Sequence, residues 1–167
     1  DLVRATSAWS MAEMIDSGVT MFMDVLEAPN ALPGALEIER EIAEKAGLRA
    51  VLSFEACQRV SAENGEAGLR ENAEFVRAHN RPGALVTGMM SIHTLFTCDE
   101  MFVKTAKRLA EELDCGVHMH LSESVFEPDW CLRHYGKRPV DVYDEWGFLD
   151  GRVFASQCVQ LTEAEMD

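Results

Sequence analysis

The chain has 167 residues, 47% of them hydrophobic and 26% charged, and 15 basic against 29 acidic side chains give a formal net charge of −14. This length and apolar content are typical of a single domain with a buried core and exclude a disordered or fibrous chain. The acidic excess argues against nucleic acid and anionic membrane surfaces as partners, and no apolar run approaches the roughly 20 residues that cross a bilayer.

The chain opens with a predicted helix followed by a predicted strand. Apolar side chains recur at helical spacing over residues 2–17, and Gly18 then indicates a helix end. Residues 19–24 (VTMFMD) form an almost wholly apolar run, which is typical of a strand buried on both faces. The start at Asp1 lacks an initiator Met and a signal-peptide pattern, so we expect the internal part of a longer polypeptide.

The same alternation of helix and strand continues along the chain. Further helical patterns lie near residues 33–46, 65–79, 99–113 and 125–146. Further apolar, strand-like runs lie near residues 48–54, 84–92, 117–121 and 152–158. The last helical stretch is interrupted at Gly136 and Pro139, and Thr162 with Glu165 has the form of a capping box that opens one more helix.

Five buried strands alternating with helices predict an α/β fold with parallel strands. Such a fold is either an open doubly wound sheet or a (β/α) barrel. No G-x-G-x-x-G or G-x-x-x-x-G-K-[ST] loop follows a strand, so nothing in the sequence supports binding of a dinucleotide or a nucleoside triphosphate. Without linkers or low-complexity tracts, residues 1–167 are predicted to form one continuous block.

The five cysteines indicate the compartment rather than the chemistry. They lie at positions 57, 98, 115, 131 and 158. An odd number without C-x-x-C spacing predicts neither a disulfide framework nor a cysteine zinc cluster. We therefore expect a reducing, cytoplasmic location and assign no catalytic role to these thiols.

Candidate functional residues are sought at the carboxyl ends of the strands, where ligands gather in folds of this class. The predicted strands end at Asp24, at Phe54 with Glu55, at His93, at His120 with Glu123 beyond it, and at Gln157 with Cys158. His93 follows an apolar strand, and a contact to substrate and a hydrogen bond to loop backbone are both open for it.

The fourth strand carries the strongest chemical pattern. His118 and His120 stand two residues apart on a strand and therefore share one face, where two imidazoles can bind a metal or join a hydrogen-bond network. Glu123 lies just beyond the strand, where a carboxylate beside an activated water can act as general base and then general acid. The same Glu123 can equally serve as an acidic residue at the start of a helix, and spacing alone does not choose between these roles.

Several segments together resemble one enzyme family. These segments are 13–20 (EMIDSGVT), 47–52 (GLRAVL), 91–97 (SIHTLFT), 116–124 (GVHMHLSES), 135–140 (YGKRPV) and 147–149 (GFL). They resemble the amidohydrolase superfamily, in the branch of the S-adenosylhomocysteine/methylthioadenosine deaminases, guanine deaminases and triazine hydrolases. The resemblance covers nearly the whole chain in order, and it does not specify the substrate.

The resemblance implies a metal-dependent hydrolase with a (β/α)₈ barrel, of which residues 1–167 would supply strands two to six. The family's divalent metal, usually zinc or iron, activates water that attacks a heterocycle and hydrolyses a C–N bond. By position, His120 would be a metal ligand, Glu123 the proton shuttle and His93 a contact to a small heterocyclic substrate. His118 lies deeper along the strand and is expected to pack inside the barrel.

The chain departs from the family pattern in two ways. Residues 155–161 read ASQCVQL, so Gln157 stands where the family usually has a histidine, and an amide can bind substrate or water but cannot titrate near neutral pH. The family's first-strand H-x-H pair and strand-eight aspartate have no counterpart in the chain. A degenerate, non-catalytic barrel that serves as a binding or structural module is therefore the alternative. A partial barrel also leaves two open strand edges, which predicts either a longer polypeptide or association into homo-oligomers.

Overall fold

The computed structural model describes residues 2–166, which form seven helices and six strands. The helices are α1 (Leu2–Asp16), α2 (Ala35–Ala46), α3 (Ala62–His79), α4 (Glu100–Glu112), α5 (Phe126–Tyr135), α6 (Pro139–Glu145) and α7 (Glu163–Met166). The strands are β1 (Met21–Leu26), β2 (Arg49–Phe54), β3 (Val86–Gly88), β4 (Met90–Ser91), β5 (Val117–Leu121) and β6 (Val153–Gln157). Within this part of the chain, no helix has both the length and the apolar character needed to cross a membrane.

All strand pairs are parallel, as the alternation of helices and strands predicted. One sheet has the order β1-β2-β3 and the other the order β4-β5-β6. A parallel bridge between Ala56 and Ile92 joins the end of the first sheet to the start of the second. Helices connect successive strands except β3 and β4, which only Met89 separates, so the predicted α/β architecture of a partial (β/α) barrel is confirmed.

The predicted strand over residues 84–92 is divided between the two sheets. β3 pairs with β2, whereas β4 pairs with β5. The N–H of Met89 donates to the Leu52 carbonyl on one side, and the N–H of Met90 donates to the Gly116 carbonyl on the other. The two short segments therefore occupy one strand position of the barrel. Through them, the first sheet is hydrogen-bonded on one side and the second sheet on the other.

The first predicted strand is placed too early in the sequence. The N–H of Val19 donates to the Met14 carbonyl and Gly18 has a φ of 80°, so both residues complete the end of α1. β1 consequently begins at Met21 and continues to Leu26. Asp24 thus lies inside the strand and not at its carboxyl end, which corrects its prediction as a strand-end residue.

The helix breaks follow the sequence signals. α5 ends at Gly136, which has a φ of 68°, and α6 begins with Pro139 in its first turn, as the interruption at these two residues predicted. At the start of α7, the N–H of Thr162 donates to the Glu165 carboxylate at 2.9 Å, which is one half of the predicted capping box.

The apolar core lies between the sheets and the helices that cover them. One cluster of buried side chains packs α3 and α4 against β4 and β5, and a second packs α2 against β1 and β2. The buried Asn72 on α3 accepts a hydrogen bond from the N–H of Phe54 at 2.6 Å and donates to the carbonyl of the same residue at 2.8 Å. These two bonds fix the carboxyl end of β2, directly before Glu55.

Candidate active site

Three side chains from different strand ends meet at the carboxyl end of the sheets. His120 is on β5, His93 follows β4, and Glu55 follows β2. One potential ligand atom from each lies within 4.8 Å of the other two. The structure therefore brings two of the predicted site residues, His93 and His120, next to each other, with ring centroids 5.4 Å apart.

The hydrogen bonds around His93 indicate which ring nitrogen carries its proton. The Thr97 hydroxyl donates to the Thr94 carbonyl at 3.0 Å, which leaves its oxygen to accept from His93 Nδ1 at 2.8 Å. Burial, followed by the neighbouring Arg59, lowers the pKa of His93 to about 4. His93 is therefore a neutral imidazole. The Thr97 hydroxyl at 2.8 Å and the Thr94 hydroxyl at 3.0 Å favour a proton on Nδ1, and Arg59 lies 3.3 Å from Nδ1 and 3.4 Å from Nε2.

His118 and His120 share a face of β5 but have different surroundings. His118 is only 2% exposed, hydrogen-bonds through Nε2 to the Ser156 hydroxyl and packs on Phe154. Burial lowers the pKa of His118 to about 4, and the side chain packs within the sheet as expected. Burial also lowers the pKa of the partly exposed His120, against an opposing effect of Glu123.

The sequence alone did not suggest a role for Glu55 or Arg59, two further side chains of the site. Glu55 Oε2 lies 3.7 Å from His120 Nδ1, and Glu55 Oε1 accepts from Arg59 at 3.2 Å. Arg59 also donates to Glu27 at 2.7 Å. Burial is the main cause that raises the pKa of Glu55 to about 7. The position of Glu55 at a strand end was visible in the sequence, whereas Arg59 lies in a loop without a recognisable pattern.

Glu123 is exposed in the loop that follows β5, and a hydrogen bond to the Glu127 carboxylate fixes the backbone of this loop. Glu123 makes no side-chain hydrogen bond to residues 2–166, and its charge acts on His120 through space. The preceding Ser122 has a φ of 48°, and its N–H donates to Glu127 at 2.6 Å. Glu127, whose pKa burial raises to about 6, also accepts from the N–H of Leu95 at 3.3 Å. One buried carboxylate thus connects the loops that carry His93 and Glu123.

Gln157 is on the strand next to the one that carries His120. It ends β6, where it pairs in register with Leu121, and it is exposed without a side-chain hydrogen bond to the described part of the chain. Gln157 and Cys158 have φ values of 68° and 55°, a left-handed conformation that is uncommon for residues other than glycine. The structure therefore places Gln157 at the carboxyl end of β6, beside the end of β5, and its role in the site stays a prediction.

The side chains around His120 fit a divalent metal. Imidazole nitrogens and a carboxylate oxygen are the donors that zinc prefers in catalytic sites. The buried Nδ1 of His120 has no hydrogen-bond partner among residues 2–166, whereas Nε2 of this 17% exposed side chain is not one of the buried atoms without a partner and can take a ligand. The described residues offer three possible donors, one each from Glu55, His93 and His120.

Comparisons with known proteins give the family. A model described as "Amidohydrolase family" matches residues 1–167. The 5-methylthioadenosine/S-adenosylhomocysteine deaminase of Desulfitobacterium hafniense (strain DSM 10664 / DCB-2) is 31% identical over 159 residues, which are 95% of this chain and 35% of the relative. The chain thus spans about a third of the length of this curated relative.

Solved structures show the same fold. An adenosine deaminase from Xanthomonas campestris with bound zinc has a TM-score of 0.81 at 23% identity, over 99% of this chain and 36% of that one. An atrazine chlorohydrolase from Arthrobacter aurescens TC1 complexed with zinc has a TM-score of 0.85 at 14% identity, over 98% of this chain and 39% of that one. With the family model matching it from end to end, the chain belongs to the amidohydrolase family.

Proposed function

We propose that the whole protein containing this chain is a metal-dependent hydrolase that deaminates a purine-like heterocycle. The observation that carries the proposal is the group of His120, His93 and Glu55 at the carboxyl end of the strands in a chain of the amidohydrolase family. The similarity to a methylthioadenosine/S-adenosylhomocysteine deaminase and to an adenosine deaminase supports an adenosine-like substrate. Triazines are the second substrate class, from the similarity to an atrazine chlorohydrolase.

The metal that we propose is zinc, with iron as the alternative. Two structural relatives contain zinc, and His120 would supply an imidazole ligand through Nε2. When bound, such an ion acts as a Lewis acid and makes water nucleophilic near neutral pH. Since we assign His93 to the substrate and Arg59 binds Glu55, the remaining ligands would come from parts of the protein outside this chain, because a catalytic zinc site needs about three protein ligands.

The proposed proton transfer belongs to Glu123. Its exposed carboxylate follows the strand that carries His120, and it accepts a proton from the attacking water and returns a proton to the leaving nitrogen. The ring carbon gains a C–O bond, the exocyclic C–N bond breaks, and ammonia leaves. No other carboxylate beside His120 is equally free, since Arg59 holds Glu55.

His93 and Gln157 are the proposed substrate contacts. His93 is neutral with an accepting Nε2, so it can take a hydrogen bond from a ring N–H or an amino group of the substrate. Gln157 can both donate and accept through its amide and needs no change of protonation. It would approach the substrate by a side-chain rotation at the left-handed end of β6.

Three further assignments stay predictions. Residues 1–167 would form strands two to six of the barrel. The six strands fill five barrel positions, because β3 and β4 share one position. The open edges of β1 and β6 would be covered by the rest of the polypeptide or by association into homo-oligomers. The five free thiols agree with a reducing, cytoplasmic compartment.

Ammonia release by the purified whole protein tests the proposal. The panel contains adenosine derivatives, guanine, pterins, pyrimidines and triazines, with chloride release measured for chlorinated triazines. We expect turnover of a purine-type substrate, and we expect Glu123→Gln to reduce kcat by at least about 100-fold, within the range for a general acid–base group. Glu74→Gln, at an exposed position of α3, is the control that keeps full activity.

Two results would overturn the proposal. Full turnover by Glu123→Gln would remove the proton-transfer role of this residue. A protein that retains metal but releases neither ammonia nor chloride from any of these substrates would favour the non-catalytic barrel instead.

A further inference from the structure

The His120 imidazole has two nitrogens in opposite situations. Nδ1 is buried and has no hydrogen-bond partner among residues 2–166, whereas Nε2 is not one of the buried atoms without a partner, on a side chain that is 17% exposed. A buried polar atom without a partner loses its hydrogen bond to water and gains none in return, so native proteins rarely leave one unpaired. The polar group that faces Nδ1 is the Glu55 carboxylate, whose Oε2 is 3.7 Å away.

Glu55 is held in place by its own contacts. Its side chain is 6% exposed, and its Oε1 accepts from Arg59 at 3.2 Å. Its N–H donates to the Leu26 carbonyl at 3.1 Å, directly after the strand end that Asn72 fixes. Oε2 is therefore left toward His120, and a movement of roughly 1 Å would bring it within hydrogen-bond distance of Nδ1.

We propose that Glu55 is a positioning residue that accepts the Nδ1–H of His120 and thereby keeps Nε2 free and oriented for the metal. The proposal rests on the proposed function, in which His120 is a metal ligand. Histidine ligands in proteins donate their second ring N–H to a carboxylate or carbonyl, which fixes the tautomer and the ring orientation. Glu55 supplies such a carboxylate from a different strand, so β2 and β5 would together determine the position of the ligand.

Direct coordination by Glu55 is the competing role. A metal between Glu55 Oε2 and His120 would have to reach Nδ1, which is closed to solvent, while Nε2 remained unused. Arg59 also competes for the same carboxylate. The geometry thus favours a metal bound to Nε2 of His120 and a hydrogen bond from Nδ1 of the same ring to Glu55.

Metal affinity of the whole protein is the test, measured by competition between the protein and a chelating dye for zinc. We expect Glu55→Ala to weaken zinc binding by about 10–100-fold, the loss typical for such a partner. Glu55→Gln keeps an acceptor oxygen in the same place and should lose clearly less than Glu55→Ala. Glu27→Gln is the matched control, since Glu27 binds the same Arg59 and makes no ion pair or hydrogen bond with His120 in the described part of the chain. Its zinc affinity should stay within about threefold of the wild type.

Cobalt-substituted protein distinguishes the two roles of Glu55. If Glu55 accepts the Nδ1–H of His120, Glu55→Gln keeps the coordination number and the visible absorption bands of Co²⁺. If Glu55 is a direct ligand, its loss changes both. Unchanged zinc affinity in Glu55→Ala, an equal loss in Glu27→Gln, or altered Co²⁺ bands in Glu55→Gln would each overturn the proposal and leave the proposed function intact. A whole protein that binds no metal would overturn both. Thermal unfolding of the metal-free variants checks that each of them is folded.

Discussion

A buried pair of carboxyl groups makes stability depend on pH in an unusual direction. Glu39 on α2 is 3% exposed, and its partner is Asp24 on β1. Burial, with the charge and the hydrogen bond of Asp24 acting in the same sense, raises the pKa of Glu39 from 4.5 to about 9. Glu39 therefore keeps its proton at neutral pH and donates it to Asp24.

The sign and the size of the effect follow from proton linkage. Between pH 4.5 and about 9 the folded protein holds a proton on Glu39 that the unfolded chain has released. Stability is thus fully present below pH 4.5 and falls as the pH rises toward 9, by about 1.4 kcal/mol per unit. At pH 7 the accumulated cost is about 3 kcal/mol, an upper limit because rearrangement of the pair reduces it.

Glu39→Gln removes this cost. The amide donates the same hydrogen bond to Asp24 without taking up a proton, so we expect the variant to be more stable than the wild type by up to about 3 kcal/mol at pH 7 and nearly equal to it at pH 4.5. The assay is chemical denaturation of the whole protein at several pH values, with Glu44→Gln at an exposed position of the same helix as control. Parallel pH profiles for Glu39→Gln and the wild type, or a lower stability of the variant at pH 8, would refute the reasoning.

Two further substitutions test how the site is held. Thr97→Val removes the oxygen that accepts a hydrogen bond from His93 Nδ1, so we expect KM to increase about 10-fold. Thr97→Ser keeps this oxygen and should retain the wild-type KM. Equal KM values in both variants would contradict the assigned tautomer. Asn72→Ala leaves the buried N–H and carbonyl of Phe54 unpaired and should lower the free energy of unfolding by about 2–4 kcal/mol, as measured by denaturant titration. A loss below about 0.5 kcal/mol in Asn72→Ala would show that other groups hold the end of β2.

Local patterns predicted the elements that local interactions determine. β5 has the bounds that its apolar run predicted, Val117–Leu121, because the strand is buried and glycine precedes it. The break between α5 and α6 follows from Gly136 and Pro139, whose backbone preferences act within a few residues. The start of β1 was wrong because the N–H of Val19 serves the end of α1, and hydrophobicity does not report on that use.

The site was predictable only in part, because its geometry depends on the packing of distant segments. His93 and His120 are 27 positions apart, and the barrel topology alone suggested that they meet. Glu55 and Arg59 were missed as partners, since nothing in a single sequence states which carboxylate faces which imidazole. The role of Gln157 stays a prediction, because its exposed side chain makes no hydrogen bond to the other candidate residues in the described chain.

The central claim is that His120 is a ligand of a catalytic metal. Elemental analysis of the whole protein, purified without chelators, tests this most directly when wild type, His120→Asn and His134→Asn are compared. His134 is an exposed histidine stacked on Trp130 and is the matched control. We expect about one zinc or iron per chain in the wild type and in His134→Asn, and a much lower metal content in His120→Asn. No metal in the wild type, or an equal content in His120→Asn, would contradict it.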